Sequence, residues 1–128
     1  LTEGGARKRD NRKQKGQAAE EAAAQYLESQ GYHILARNWR CRSGEIDIIA
    51  QMGDTLIFVE VRSRSGASAY GTPAESITPR KIKQVRDTAA VYLHMNHLSN
   101  RPIQFDAVAV MLSHDLHVQS LDHIKNAF

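Results

Sequence analysis

Two acids interrupt otherwise apolar runs: Asp47 in Gly44-Glu45-Ile46-Asp47-Ile48-Ile49-Ala50, and Glu60 in Leu56-Ile57-Phe58-Val59-Glu60-Val61-Arg62. The runs are short and rich in β-branched residues, which predicts strands rather than helices. Between them, Gly53-Asp54 fits a two-residue hairpin loop of type II′. That turn sets Met52 opposite Thr55 and, counted outward, Asp47 opposite Glu60 and Glu45 opposite Arg62. Directly opposed residues have Cβ atoms roughly 4.5–5.5 Å apart, where like charges repel. Such a local conflict tends to mark function. A divalent cation resolves it, because Mg²⁺ takes one or two carboxylates and completes its shell with water and phosphate oxygens. The plainer alternative is a structural ion pair in which Arg62 neutralises the acids.

The surrounding elements must position that pair. Gln17 to Gln30 reads as a helix, rich in alanine and stopped by Gly31. At roughly 100° per residue, Ala19, Ala22, Ala23, Tyr26 and Leu27 share one apolar stripe. Glu20 falls at its edge and Glu21 on the opposite, wet side, so only Glu20 can reach the sheet. A first strand is expected over 32–37. Asn38-Trp39-Arg40-Cys41-Arg42-Ser43 follows it, where Arg40 and Arg42 suit phosphate contact and Trp39 suits either base stacking or a hydrophobic lid. The lone Cys41 excludes an internal disulfide and a cysteine-rich zinc site.

After Arg62 the residues 63–73 are small and polar, and read as a substrate-contacting loop that includes Arg64. Thr78-Pro79 opens a second helix, with Thr as N-cap and Pro at the first helical position. Its buried stripe is Ile82, Val85, Ala89, Tyr92 and Leu93, and its first half carries Arg80, Lys81, Lys83 and Arg86. His94 and His97 lie one turn apart near its end, where charge favours the helix dipole. Residues 103–112 form the longest apolar strand candidate and include Asp106. A turn at Ser113-His114-Asp115 returns the chain from Leu116, and a short helical end is expected over 124–128.

The order α-β-β-β-α-β-β implies an α/β fold with one mixed sheet flanked by helices. At 128 residues, 16–128 make one domain with a real core. Residues 1–15 carry Arg7, Lys8, Arg9, Arg12, Lys13 and Lys15 without an apolar pattern. They are expected to form a basic arm, disordered in isolation. The net charge of +3 permits a nucleic-acid partner without demanding one. No apolar run approaches the roughly 18–20 residues of a membrane span, and no signal peptide is visible, so a cytoplasmic protein is expected.

Gly16-x-x-x-Glu20, Gly31-Tyr32, Arg37-Asn38, Gly44-Glu45-Ile46-Asp47, Phe58-Val59-Glu60-Val61-Arg62, Lys81, Phe105-Asp106 and Ala127-Phe128 together resemble the YraN family of small bacterial proteins. That family is similar in turn to the PD-(D/E)xK nucleases and, among them, to archaeal Holliday-junction resolvases. The resemblance implies a restriction-endonuclease-like core in which Glu20 is the helix acid, Asp47 the strand acid and Glu60 the third acid. It implies Mg²⁺ or Mn²⁺ at Asp47 and Glu60, with Glu20 as a further ligand, direct or through water. Arg62 stands where the superfamily has lysine. Arginine keeps its proton and cannot be a general base, but it can bind phosphate.

The leading expectation is a metal-dependent nuclease-like protein acting on DNA, branched DNA among its candidate substrates. Arg40, Arg42, Arg64 and Lys81 would then contact the nucleic acid. Since resolvases work as dimers, a homodimer is a further expectation. The rival reading is a nucleic-acid-binding module that keeps the fold without turnover; a partner-binding scaffold ranks third.

Overall fold

The computed structural model describes residues 3–65 and 77–128. Along the chain lie α1 (Glu3–Ser29), β1 (His33–Cys41), β2 (Gly44–Met52), β3 (Thr55–Ser65), α2 (Pro79–Met95), β4 (Ile103–Leu112) and β5 (Val118–Ile124). The five strands form one mixed sheet in spatial order β1-β2-β3-β4-β5. Pairing is antiparallel except between β3 and β4, which are parallel and joined by the crossover through α2. This is the expected α/β architecture, a mixed sheet with helices on both sides.

Alternation along β3 explains the layers. Ile57 and Val59 face α1, where they join Ala19, Ala23, Ala24 and Leu27. Leu56 and Phe58 face the other way and join Val85, Ala89, Tyr92 and Leu93 of α2. A period of two in the strand thus feeds two separate cores. Leu27 and Phe58 are both fully buried, and each contributes about 1.5–3 kcal/mol by leaving water. Trp39 packs edge-to-face on Tyr92 at 5.2 Å, so it serves as the hydrophobic lid.

Several boundaries differ from the sequence reading. The backbone of α1 is helical from Glu3, taking in most of the stretch expected as a separate arm. Past Gly5 nothing in that stretch breaks a helix, and Arg, Lys, Gln and Ala all favour one. Strand β1 runs on to Cys41 because β2 pairs with it as far as Gly44. Strand β3 runs to Ser65, through residues expected to begin a loop, because β4 supplies pairs out to Ser65↔Leu112. The rest of the stretch expected as a loop lies outside the described residues. The expected helical end at 124–128 is absent. Ile124 closes β5, Asn126 adopts φ 53°, and Phe128 returns to pack 5.7 Å from Phe105.

Candidate active site

The hairpin register is as counted: Met52↔Thr55, Gln51↔Leu56, Ala50↔Ile57, Ile49↔Phe58 and Ile48↔Val59. The ladder ends there, one step before Asp47. Ile46 and Ile49 both join the α2-side core, three residues apart, so simple alternation along β2 breaks between them. At this break the Asp47 side chain replaces the missing backbone partner: its Oδ2 accepts a hydrogen bond from the Val61 N–H at 2.8 Å.

The two acids do meet. Burial, a hydrogen bond with Glu60 and the Glu60 charge push the Asp47 carboxyl up to about 8, against the lowering effect of the Val61 N–H. Glu60 itself is only 5% exposed. Its Oε2 lies 3.3 Å from Lys81 Nζ, an ion pair by distance. The ammonium is poorly aligned for a hydrogen bond, however, so the buried Oε2 is left without one.

Lys81 reaches this point because of how α2 starts. Thr78 caps the helix, accepting from the Lys81 N–H at 3.2 Å, and Pro79 follows. Lys81 is therefore in the first turn, with its side chain over the sheet. The other cations of that half are engaged elsewhere or turned outward. Lys83 pairs with Asp87 at 2.7 Å, Arg86 stacks on Phe105 at 4.7 Å, and Arg80 is exposed.

Glu20 is half-buried and Glu21 exposed, as the helical geometry predicts. Glu21 pairs with Arg37 at 3.0 Å. Burial raises the Glu20 pKa, a hydrogen bond with Asn38 opposes the rise, and the charges of Asp47 and Glu45 add to it. Glu20 thus feels the acid pair without joining it. Among the described residues, no group of three or more His, Cys, Asp or Glu side chains is gathered as a metal site.

Arg62 is not the neutralising partner of the acids. Because the ladder stops at Ile48↔Val59, Glu45 does not meet Arg62; it pairs with Arg40 at 2.7 Å across the β1–β2 ladder. Arg62 Nε is buried with no hydrogen-bond partner. Arg42 is exposed and Arg64 half-buried. His94 and His97 are both exposed at the far end of α2, away from the acids.

Asp106 is fully buried, but its neighbour in the ladder is Val59, which faces α1. It binds His123 Nε2 at 2.7 Å, Gln104 Nε2 at 2.9 Å and the Asn126 N–H at 3.0 Å. This network anchors β5 and the final turn, on the face away from Glu60.

Two site residues escaped the sequence reading, and a third was read only as a phosphate contact. Asn38 holds Glu20. Gln84 lies against Gly44, where an added Cβ would stand 2.6 Å from its Nε2. Lys81 was expected to contact nucleic acid, but nothing in the sequence indicated that it reaches Glu60. For Lys81 and Gln84 the available signal is their spacing of three on one helix, which places both on the face that carries Val85 and Thr88.

Comparison with known proteins places this geometry. A profile of the uncharacterised protein family UPF0102 matches residues 19–110. A UPF0102 protein of Moorella thermoacetica is 46% identical over 117 residues, covering 91% of this chain and 97% of that protein. Relatives from Pelotomaculum thermopropionicum and Clostridioides difficile are each 45% identical. They cover 93% and 92% of this chain, and 98% and 99% of their own lengths. The chain belongs to UPF0102, the YraN family. The UPF0102 match takes in Glu20, Asp47, Glu60, Arg62 and Lys81, whereas the basic residues 1–15 lie outside it. Among the described residues, no helix of this UPF0102 member is long and apolar enough to cross a membrane.

Proposed function

We propose that this protein is a metal-dependent nuclease acting on DNA by phosphodiester hydrolysis, with branched, Holliday-junction-like DNA as its first candidate substrate. The observation that carries the reading is the Asp47–Glu60 pair. A half-buried carboxyl and a buried one are held against each other, the Asp47 group is pushed up to about 8, and a buried oxygen of Glu60 lacks a hydrogen bond. Without a cation the chain pays for this arrangement in desolvation and repulsion.

The donor set fits Mg²⁺ or Mn²⁺. Hard cations take oxygen ligands, and Mg²⁺ commonly uses one or two carboxylates and leaves its other positions to water and phosphate. Asp47 and Glu60 are the direct ligands in this reading, and Glu20 acts through water. A bound cation supplies an activated water and neutralises phosphate charge. Arg62 and Lys81 contribute positive charge where a phosphate must sit. Arg40, Arg42 and Arg64 extend that charge along the backbone, as does the basic stretch 1–15. A DNA substrate supports a cytoplasmic location, and the resemblance to resolvases supports a homodimer.

Purified protein with Mg²⁺ or Mn²⁺ should cut or nick at least one of single-stranded, flapped, four-way or duplex DNA, and Asp47→Asn should abolish it. A clean preparation inactive on all four, with both metals, would favour the second reading, a DNA-binding module without turnover. That alternative is supported by Arg62, whose guanidinium cannot act as a base.

A further inference from the structure

The first turn of α2 contradicts the electrostatics of a helix. It carries Arg80 and Lys81 and has no acidic residue. Cations at the positive end of a helix dipole are unfavourable, and acids there are favourable. The sheet facing it contains the reverse fault, two carboxyls packed together. Lys81 Nζ, 3.3 Å from Glu60 Oε2, is where the two faults meet. The contact has ion-pair distance without hydrogen-bond alignment. An ammonium here can neutralise Glu60 yet leaves its buried oxygen short of a bonded partner. Lys81 is also 27% exposed in its side chain, against 6% for Glu60, so it has room to leave while Glu60 has none.

We propose that Lys81 is an internal counter-ion that occupies the cation's place at Glu60, and that a divalent cation must displace it. This rests on the metal reading of Asp47 and Glu60. The displaced ammonium stays tethered to the positive end of α2, where it faces any phosphate that arrives with the cation. Metal and phosphate would thus be bound in sequence by one exchange of partners. The counter-ion role sets Lys81 apart from Arg62, a cation with no such contact to either acid among the described residues.

The test is competition for Glu60, read without DNA and without turnover. Mn²⁺ affinity is measured by calorimetry on the full chain, at a pH above the Asp47 value of about 8. Lys81→Met keeps the length of the side chain and removes the charge. It should bind Mn²⁺ more tightly than wild type, on the order of tenfold, the scale set by removing one charge at close range. Lys81→Arg should stay near wild type. In a Glu60→Gln background, Lys81→Met should bring little further gain. A direct readout uses the unaltered protein: the Lys81 Nζ resonance should shift on saturation with Mg²⁺.

Each contrary result decides the matter. Wild type that binds Mn²⁺ with an affinity Lys81→Met does not improve overturns the counter-ion role and leaves the metal reading standing. So does a gain equally large in Lys81→Arg, or a Lys81 resonance indifferent to Mg²⁺. No Mn²⁺ binding in any variant overturns both.

Discussion

The Asp47 carboxylate completes a ladder that the backbone abandons, accepting from the Val61 N–H at 2.8 Å just past the last β2–β3 pair. The acid therefore has a structural duty besides any chemical one, and two substitutions separate them. Asp47→Ala removes the acceptor and should cost about 1–3 kcal/mol, the penalty of a buried donor left unpaired. Asp47→Asn keeps an acceptor for Val61 and turns its amide toward Glu60, so it relieves repulsion wherever Asp47 is ionised. Above pH 8 in EDTA its stability should be unchanged or higher by about 0.2–1 kcal/mol. Urea titrations of the two variants measure this; an Asn variant as unstable as the Ala variant would mean that the charge itself is structural.

A second prediction concerns the approach of α2 to the start of β2. Gly44 has φ 148°, and a Cβ there would stand 2.6 Å from Gln84 Nε2 and 2.7 Å from its Cγ. Gly44→Ala should lose about 1–3 kcal/mol from the backbone conformation and the clash together. Adding Gln84→Ala should restore the steric part and leave the backbone part. A double variant no more stable than Gly44→Ala would show that Gln84 does not press on this position.

These relationships mark how far the sequence could be read. The turn Gly53-Asp54 is local chemistry, and from it the register followed to Ile48↔Val59 and brought Asp47 to Glu60. The expected Glu45–Arg62 pairing failed because counting assumes that a ladder continues, and this one stops where Asp47 bonds to Val61. Helix geometry separated Glu20 from Glu21, since a 100° step is a local rule. The Lys81–Glu60 contact depends on how the crossover lays α2 across the sheet, over 20 residues of intervening chain, and no spacing rule reports that. The same holds for Asp106 and His123, which meet only because β4 and β5 pair.

DNA binding, if the basic residues track phosphates, must weaken with salt. Without metal, the logarithm of affinity should fall linearly with the logarithm of salt concentration, by about 0.9 per phosphate neutralised. Deleting residues 1–15, which carry six of the cations, should flatten that line. Exposed Arg42→Ala should lower the slope by about one phosphate without altering the fold. An unchanged slope after the deletion would show that the stretch does not touch the backbone.

The last prediction uses pH to separate a cation site from a structural acid pair. Asp47 has an ordinary value of 3.8 and is pushed up to about 8 in the folded protein, first by burial and then by Glu60. Between those values the folded state holds a proton that the unfolded chain has released. The contribution to stability is therefore fully present below 3.8 and is lost as pH rises through about 8. Glu20, also raised, acts in the same direction. In EDTA, the Tm of wild type should fall relative to Asp47→Asn as pH is raised across that window. A cation needs the ionised carboxylate, so its effect should run the other way. Mg²⁺ should stabilise wild type little in acid and increasingly toward and above pH 8. At a free concentration c it adds RT ln(1 + c/Kd), about 2.7 kcal/mol when c is a hundred times Kd. Asp47→Asn should gain much less. Melting curves of both proteins, with EDTA and with Mg²⁺, over a pH series supply all four arms. If Mg²⁺ moves neither protein at any pH in the series, the two carboxyls are a structural pair and the cation reading is lost.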